Sequence, residues 1–112
     1  MSIKKTLEGK VAFIQGGSRG IGAAIAQRLA QEGAAVALTY VSSAAGALDV
    51  VAGIEAAGGR AIAIQADSRD EQAIRAAIRH TLESLGGLDI LVNNAGVLAV
   101  APIETFSIED LD

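Results

Sequence analysis

Three glycines, Gly16, Gly20 and Gly22, stand between an apolar run and an amphipathic stretch. Residues 10 to 15, Lys-Val-Ala-Phe-Ile-Gln, read as a strand. Ile21, Ala24, Ile25 and Leu29 then fall on one helical stripe, with Gln27, Arg28, Gln31 and Glu32 turned outward. Glycine at these places has a chemical use. Gly16 lets the chain leave the strand sharply, Gly20 lets the backbone approach a pyrophosphate, and Gly22 lets helix pack close to strand. The helix start offers unpaired N–H groups and a positive dipole end to an anion. Ser18 and Arg19 add a hydroxyl and a cation to the same loop. The spacing is G-x-x-x-G-x-G; Ile25 occupies the third glycine's place in the G-x-G-x-x-G pattern. No Gly-Lys-Ser/Thr closes the loop, which excludes a P-loop.

The elements around this turn repeat one unit. Ala35 to Tyr40 reads as a second strand, and Ser42 and Ser43 are N-cap candidates for a helix to about Ala57. Ala61 to Ala66 reads as a third strand. A helix from about Asp70 to Leu85 would bury Ile74, Ala77, Ile78, Leu82 and Leu85. Glu71 with Arg75, and Arg79 with Glu83, would pair on its outer side. Leu88 to Val92 reads as a fourth strand, running into Asn93-Asn94-Ala95-Gly96. Each strand is a continuous apolar run, which implies burial on both faces and a parallel sheet covered by helices. The expected fold is therefore α/β: four parallel strands and three helices.

The C-terminal stretch reads as unfinished. Ser107-Ile108-Glu109-Asp110 has the form of a helix start, and the sequence stops at Asp112. The fourth strand would also have a bare apolar edge. The sequence is expected to be truncated within one dinucleotide-binding domain, residues 1–112.

Composition narrows the class. The 112 residues are 51% hydrophobic and 20% charged, with nine Lys and Arg against thirteen Asp and Glu. A mildly acidic chain with one Tyr, two Phe and no Trp is poorly suited to nucleic acid. No cysteine is present and His80 is the one histidine, so no thiolate or multi-histidine metal site is expected. No apolar run approaches a membrane span, and a cytoplasmic setting is expected.

Two motifs together carry a resemblance. Gly-Gly-Ser-Arg-Gly-Ile-Gly at 16–22 and Asn-Asn-Ala-Gly at 93–96 resemble the short-chain dehydrogenase/reductases. The similarity covers the N-terminal part of that family, and is nearest to the 3-oxoacyl-carrier-protein reductase-like group. It implies a Rossmann-type doubly wound sheet, of which this is the N-terminal half, with strand order 3-2-1-4. It implies that Gly16, Ser18, Arg19, Gly20, Ile21 and Gly22 line the phosphates. Ala66, Asp67 and Ser68 would hold the adenine, and Asn94, Ala95 and Gly96 would lie along the ribose. Tyr40 would stand on the cofactor side. Gln15 departs from the family's usual Thr, which bears on the hydrogen bonding that steadies the turn.

An NAD site commonly ends its second strand in an acid that binds the ribose 2′-OH. Here Thr39-Tyr40-Val41-Ser42 follows, with no acid until Asp49. Arg19, Ser42 and Ser43 could instead bind a 2′-phosphate, which favours NADP(H) over NAD. The same missing acid disfavours a methyltransferase of similar topology. The family's chemistry is done by a Tyr-x-x-x-Lys pair, with the tyrosine as acid or base. Tyr40 is the one tyrosine, Ala44 stands four residues on, and no lysine follows Lys10. No catalytic residue is assigned. The resemblance thus implies the cofactor-binding half of an NADP(H)-dependent oxidoreductase, acting on a carbonyl or alcohol when complete and often a homo-oligomer. The alternative is a non-catalytic dinucleotide-binding module.

Overall fold

The computed structural model describes residues 7–16, 20–67, 69–93 and 96–100. The elements follow in the order β1 (Val11–Ile14), α1 (Gly20–Gln31), β2 (Ala35–Tyr40), α2 (Ala44–Ala56), β3 (Ala61–Gln65), α3 (Glu71–Leu85), β4 (Ile90–Asn93) and β5 (Gly96–Val100). They build one sheet in the order β3-β2-β1-β4-β5. The four strands β1 to β4 are parallel, with Ile14 beside Leu38 on one side and Val92 on the other. The expected order 3-2-1-4 is present. The bare edge expected on the fourth strand is not: β5 pairs antiparallel with β4, Asn93 opposite Gly96. The helix start expected at Ser107 lies outside the described residues.

The apolar strands β1, β2 and β4 have two buried faces because helices cover both, whereas the edge strand β3 is half-buried beyond Ala61, short of the full burial its apolar run implies. Ala12, Ile14, Val36, Leu38, Ile90 and Val92 face α1 and α2, packing with Ala26, Ala47, Val50 and Ile54. The alternate residues Phe13, Ala37 and Leu91 face α3 and pack with Ala77, Ile78 and Leu88. Alternation along each strand thus divides the core between two layers rather than between core and water.

Helix α3 is the most strongly bounded. The Asp70 carboxylate accepts from the Ala73 N–H at 3.2 Å, and the Gly86 N–H closes onto the Leu82 carbonyl. Its buried stripe runs through Ala77, Ile78 and Thr81, not Leu82, which is 38% exposed. A 3.6-residue turn carries the stripe from Ile74 past Ala77 and Ile78 to position 81. The Thr81 hydroxyl donates to the Ala77 carbonyl at 2.8 Å, so a polar side chain sits in the core with its hydrogen bond made. On the outer side Arg75 pairs with Glu71, while Arg79 and Glu83 form no ion pair among the described residues.

Strand ends differ slightly from the apolar runs. β4 begins at Ile90 rather than Leu88, because Asp89 is used otherwise. Its carboxylate accepts from the Val11 N–H at 2.9 Å, and its own N–H donates to the Val11 carbonyl at 2.8 Å. That pair of bonds sets the register of β4 on β1 at the amino ends of the strands.

Candidate functional site

A parallel sheet brings all its carboxyl ends to one edge. At this edge the chain leaves β1 into the turn containing Gly16, leaves β2 at Tyr40 and β3 at Gln65. The sequence-predicted residues Gly16, Gly20, Ile21, Gly22, Tyr40, Ser42, Ser43, Ala66 and Asp67 are brought to this rim from three separate stretches. Gly96 opens β5, beside the end of β4. Ser18, Arg19, Ser68, Asn94 and Ala95 lie outside the described residues.

The turn after β1 has the backbone that glycine permits. Gly16 has φ 73° and Gly20 has φ 53°, both in the left-handed region. A Cβ placed on Gly20 would meet nothing within 4 Å. Among the described residues the space at the Cβ position of Gly20 is therefore open, and the N–H groups of the first turn of α1 need partners from outside the helix. Ile21, in that same turn, is 79% exposed. No acidic residue stands in the first turn of α1 or of α2.

Neighbouring strands hold the turn. The Gln15 N–H donates to the Val92 carbonyl on β4 at 2.9 Å. The Gly16 N–H donates to the Thr39 hydroxyl on β2 at 2.9 Å. Thr39 is completely buried. Gln15 itself brings no hydroxyl, and the one bonded to the turn comes from the adjacent strand. Sequence reading assigned Thr39 no part in the site. The available signal was a hydroxyl in the apolar strand Ala35–Tyr40, close to its end.

At the end of β2, Ser43 stands in the N-cap position of α2 but makes no side-chain cap hydrogen bond. The capping role open to it in sequence is not used. Ser42 beside it is exposed. The Tyr40 carbonyl accepts from the Ala66 N–H at 2.9 Å, and the Gln65 side-chain amide donates to the Val41 carbonyl at 3.0 Å. These bonds tie the β2 and β3 exits together.

Asp67 is clamped by Arg69, a partner that sequence reading did not single out. One carboxylate oxygen accepts from the Arg69 backbone N–H at 2.9 Å and from Nε at 3.1 Å; the other accepts from Nη2 at 2.9 Å. The guanidinium hydrogen bond, then the backbone N–H, holds the Asp67 carboxyl down at about 2 from its ordinary 3.8. A lowered acid pKa contributes to stability above the ordinary value, and the contribution is lost as pH falls through the lowered one. The clamp's contribution to stability should therefore be unchanged from neutral pH to about pH 4 and fade between about 4 and 2. A carboxyl-carbon NMR titration is expected to place the Asp67 midpoint near 2. Arg69→Gln should return it toward 3.8; an unmoved midpoint would show that the guanidinium is not the cause.

Two cavities, of about 310 and 230 Å³, lie toward the other end of the sheet. One is bordered by Ala30, Gly53 and Ile54 between α1 and α2, the other by Gly9, Lys10 and Arg60 at the amino ends of the strands. Neither includes the glycine turn.

Fold and rim together define an α/β protein with a parallel sheet and a glycine-rich turn at its carboxyl edge. The short chain dehydrogenase family model matches residues 10–112, and the chain belongs to that family. An uncharacterized oxidoreductase of Methylorubrum extorquens is 54% identical over 98 residues, covering 88% of this chain and 40% of that protein. A dehydrogenase/reductase structure from Sinorhizobium meliloti 1021 has 63% identity and a TM-score of 0.79, over 97% of this chain and 43% of that one. A short chain dehydrogenase from Burkholderia cenocepacia J2315, crystallised in complex with NADP, has 58% identity and a TM-score of 0.77, over 94% of this chain and 43% of that one. The chain spans about two fifths of the length of these relatives. Among the described residues no helix is long and apolar enough to cross a membrane.

Proposed function

We propose that this chain is the NADP(H)-binding portion of an oxidoreductase that acts on a carbonyl or alcohol carbon. The observation that carries the reading is the turn at the α1 N-terminus. Gly16 and Gly20 have left-handed backbones, and space lies open at Gly20. That is the shape a pyrophosphate needs for close approach to backbone N–H groups. The residues present fit the cofactor. Ile21 offers an exposed apolar surface beside it, and Asp67 offers an ionised acceptor at the end of β3 suited to an adenine amino group.

The preference for NADP(H) rests on the end of β2. No carboxylate stands there to repel a 2′-phosphate, and the Ser43 hydroxyl is not engaged in capping. Arg19 is the proposed cation, with Ser42 and Ser43 as donors. The NADP complex of the Burkholderia relative supports the same choice. When bound, the nicotinamide would supply or accept the hydride. Gly16, Ser18, Gly20 and Gly22 would fix the pyrophosphate, Ala66, Asp67 and Ser68 the adenine, and Asn94, Ala95 and Gly96 the ribose. The substrate class is the one that resemblance to the 3-oxoacyl-carrier-protein reductases implies.

The second reading is a dinucleotide-binding module without catalysis. Tyr40 is the one tyrosine and no lysine follows Lys10, so no Tyr-x-x-x-Lys pair is present in this sequence. Titration of the 112-residue chain against both cofactors tests the proposal. NADPH is expected to bind at least about tenfold more tightly than NADH, a difference of about 1.4 kcal/mol. No carbonyl reduction is expected from the same preparation. Equal affinities would remove the 2′-phosphate argument, and turnover by this chain alone would show that chemistry does not require the missing pair.

A further inference from the structure

We infer that Thr39 is a positioning residue for the dinucleotide: its buried hydroxyl holds the glycine turn in its binding shape from the neighbouring strand. The inference rests on the cofactor reading of that turn. Thr39 stands in β2, twenty-three positions from Gly16 in sequence, and contributes no group to the exposed rim. Its side chain is completely buried, and its hydroxyl oxygen accepts the Gly16 N–H at 2.9 Å. The preceding N–H, of Gln15, is held by Val92 on the other flank at 2.9 Å. The first two N–H groups beyond β1 are thus tied to β2 and to β4, one each.

These ties act where the backbone changes direction. Gly16 has φ 73°, a conformation in which glycine is permissive rather than specific. A permissive residue does not choose its own conformation, and the bond from Thr39 chooses it. A valine at position 39 has nearly the same shape and suits a strand equally well. It would nevertheless put a methyl group where the oxygen accepts. Carbon packs at about 3.5–4.0 Å, well beyond the 2.9 Å of the hydrogen bond. The turn would lose its anchor and be pushed from β2, and the displacement would reach the phosphate-facing backbone at Gly20.

The test compares Thr39→Val with Thr39→Ser in the full chain, with two readouts besides thermal stability. In the absence of ligand, the Gly16 amide is expected to exchange its hydrogen about tenfold faster in Thr39→Val and at the wild-type rate in Thr39→Ser. The dissociation constant for NADPH is expected to rise about three- to tenfold in Thr39→Val, the worth of one hydrogen bond. Thr39→Ser keeps the hydroxyl and should bind within about twofold of wild type. A purely structural role for Thr39 would lower the melting temperature of both variants and leave NADPH affinity alone. Unchanged Gly16 exchange in Thr39→Val, or wild-type affinity for NADPH, would overturn the inference. Equal weakening in both variants would also overturn it, because the lost methyl rather than the hydroxyl would then be responsible. If the wild-type chain itself binds no NADPH, the cofactor reading fails and takes the proposed role with it. The exchange rates would still report whether Thr39 holds the turn, which separates the two failures.

Discussion

Gly20→Ala is expected to leave the chain folded and to weaken NADPH binding about a hundredfold, or about 2.7 kcal/mol. The two effects have different causes. Among the described residues a Cβ at position 20 meets nothing, so no clash with them opposes it. The cost to folding is the left-handed backbone at φ 53°, about 1–2 kcal/mol for a residue with a side chain. In a chain of this size that lowers the melting temperature by roughly 5–15 °C. The open space is, on the proposed reading, where the pyrophosphate lies. A methyl there holds the phosphate away from the α1 N–H groups, and each charged hydrogen bond lost costs about 1.5–3 kcal/mol. Gly53→Ala is the control. Gly53 lies in α2 with open space at its Cβ and no left-handed backbone, so alanine should stabilise the helix by about 0.5–1 kcal/mol and leave NADPH binding alone. Circular dichroism melting and fluorescence titration of both variants decide the matter. If Gly20→Ala binds NADPH like wild type, the phosphates do not lie at this turn.

The parts of this molecule that are legible in sequence are those with local causes. A short continuous apolar run such as Ala35–Leu38, closed in front by Gly33, reads as a strand buried on both faces, and the parallel sheet follows from several such runs separated by helices. The glycine turn is equally local, since glycines of this spacing between strand and helix have few other uses. Thr39, in contrast, is an ordinary strand residue until the register of β1 on β2 sets it against Gly16. Arg69 lies two residues from Asp67, a spacing at which an aspartate commonly accepts from the backbone N–H, but the added grip of the guanidinium on the same carboxylate depends on which way a long side chain turns. Hydropathy ranks Leu82 above Thr81 for the core, but rotation along α3 decides, and the i−4 carbonyl removes the penalty for the hydroxyl. The pairing of β5 with β4 has a similar origin. Gly96–Val100 carries apolar residues, but whether they return along β4 is a matter of tertiary pairing. What sequence does not disclose here is what one segment requires of another.

Phe13→Ala is expected to cost about 3–5 kcal/mol, the usual range for removing a buried phenylalanine. Phe13 is completely buried in β1, with strands on both sides of it and α3 packed across it. Its neighbours on that face include Ala37, Ala77, Ile78, Leu88 and Leu91, whose positions are set by other strands and by α3. The void left by the ring therefore cannot collapse at little cost. Small domains are stable by about 5–15 kcal/mol, so one such loss removes a large part of the total. The melting temperature should fall by roughly 15–30 °C, whereas Leu82→Ala, on α3 but outside its buried stripe, should shift it far less. Losses of similar size from both variants would mean that α3 meets the sheet through position 82 after all. The same strand delivers the chain to Gly16, so folding and binding are linked. NADPH at a hundred times its dissociation constant should add back about 2.7 kcal/mol to Phe13→Ala if the rim binds it only when β1 is in place. Failure of NADPH to raise the melting temperature of this variant, where it raises that of wild type, would show that the turn has lost its shape even in the molecules that remain folded.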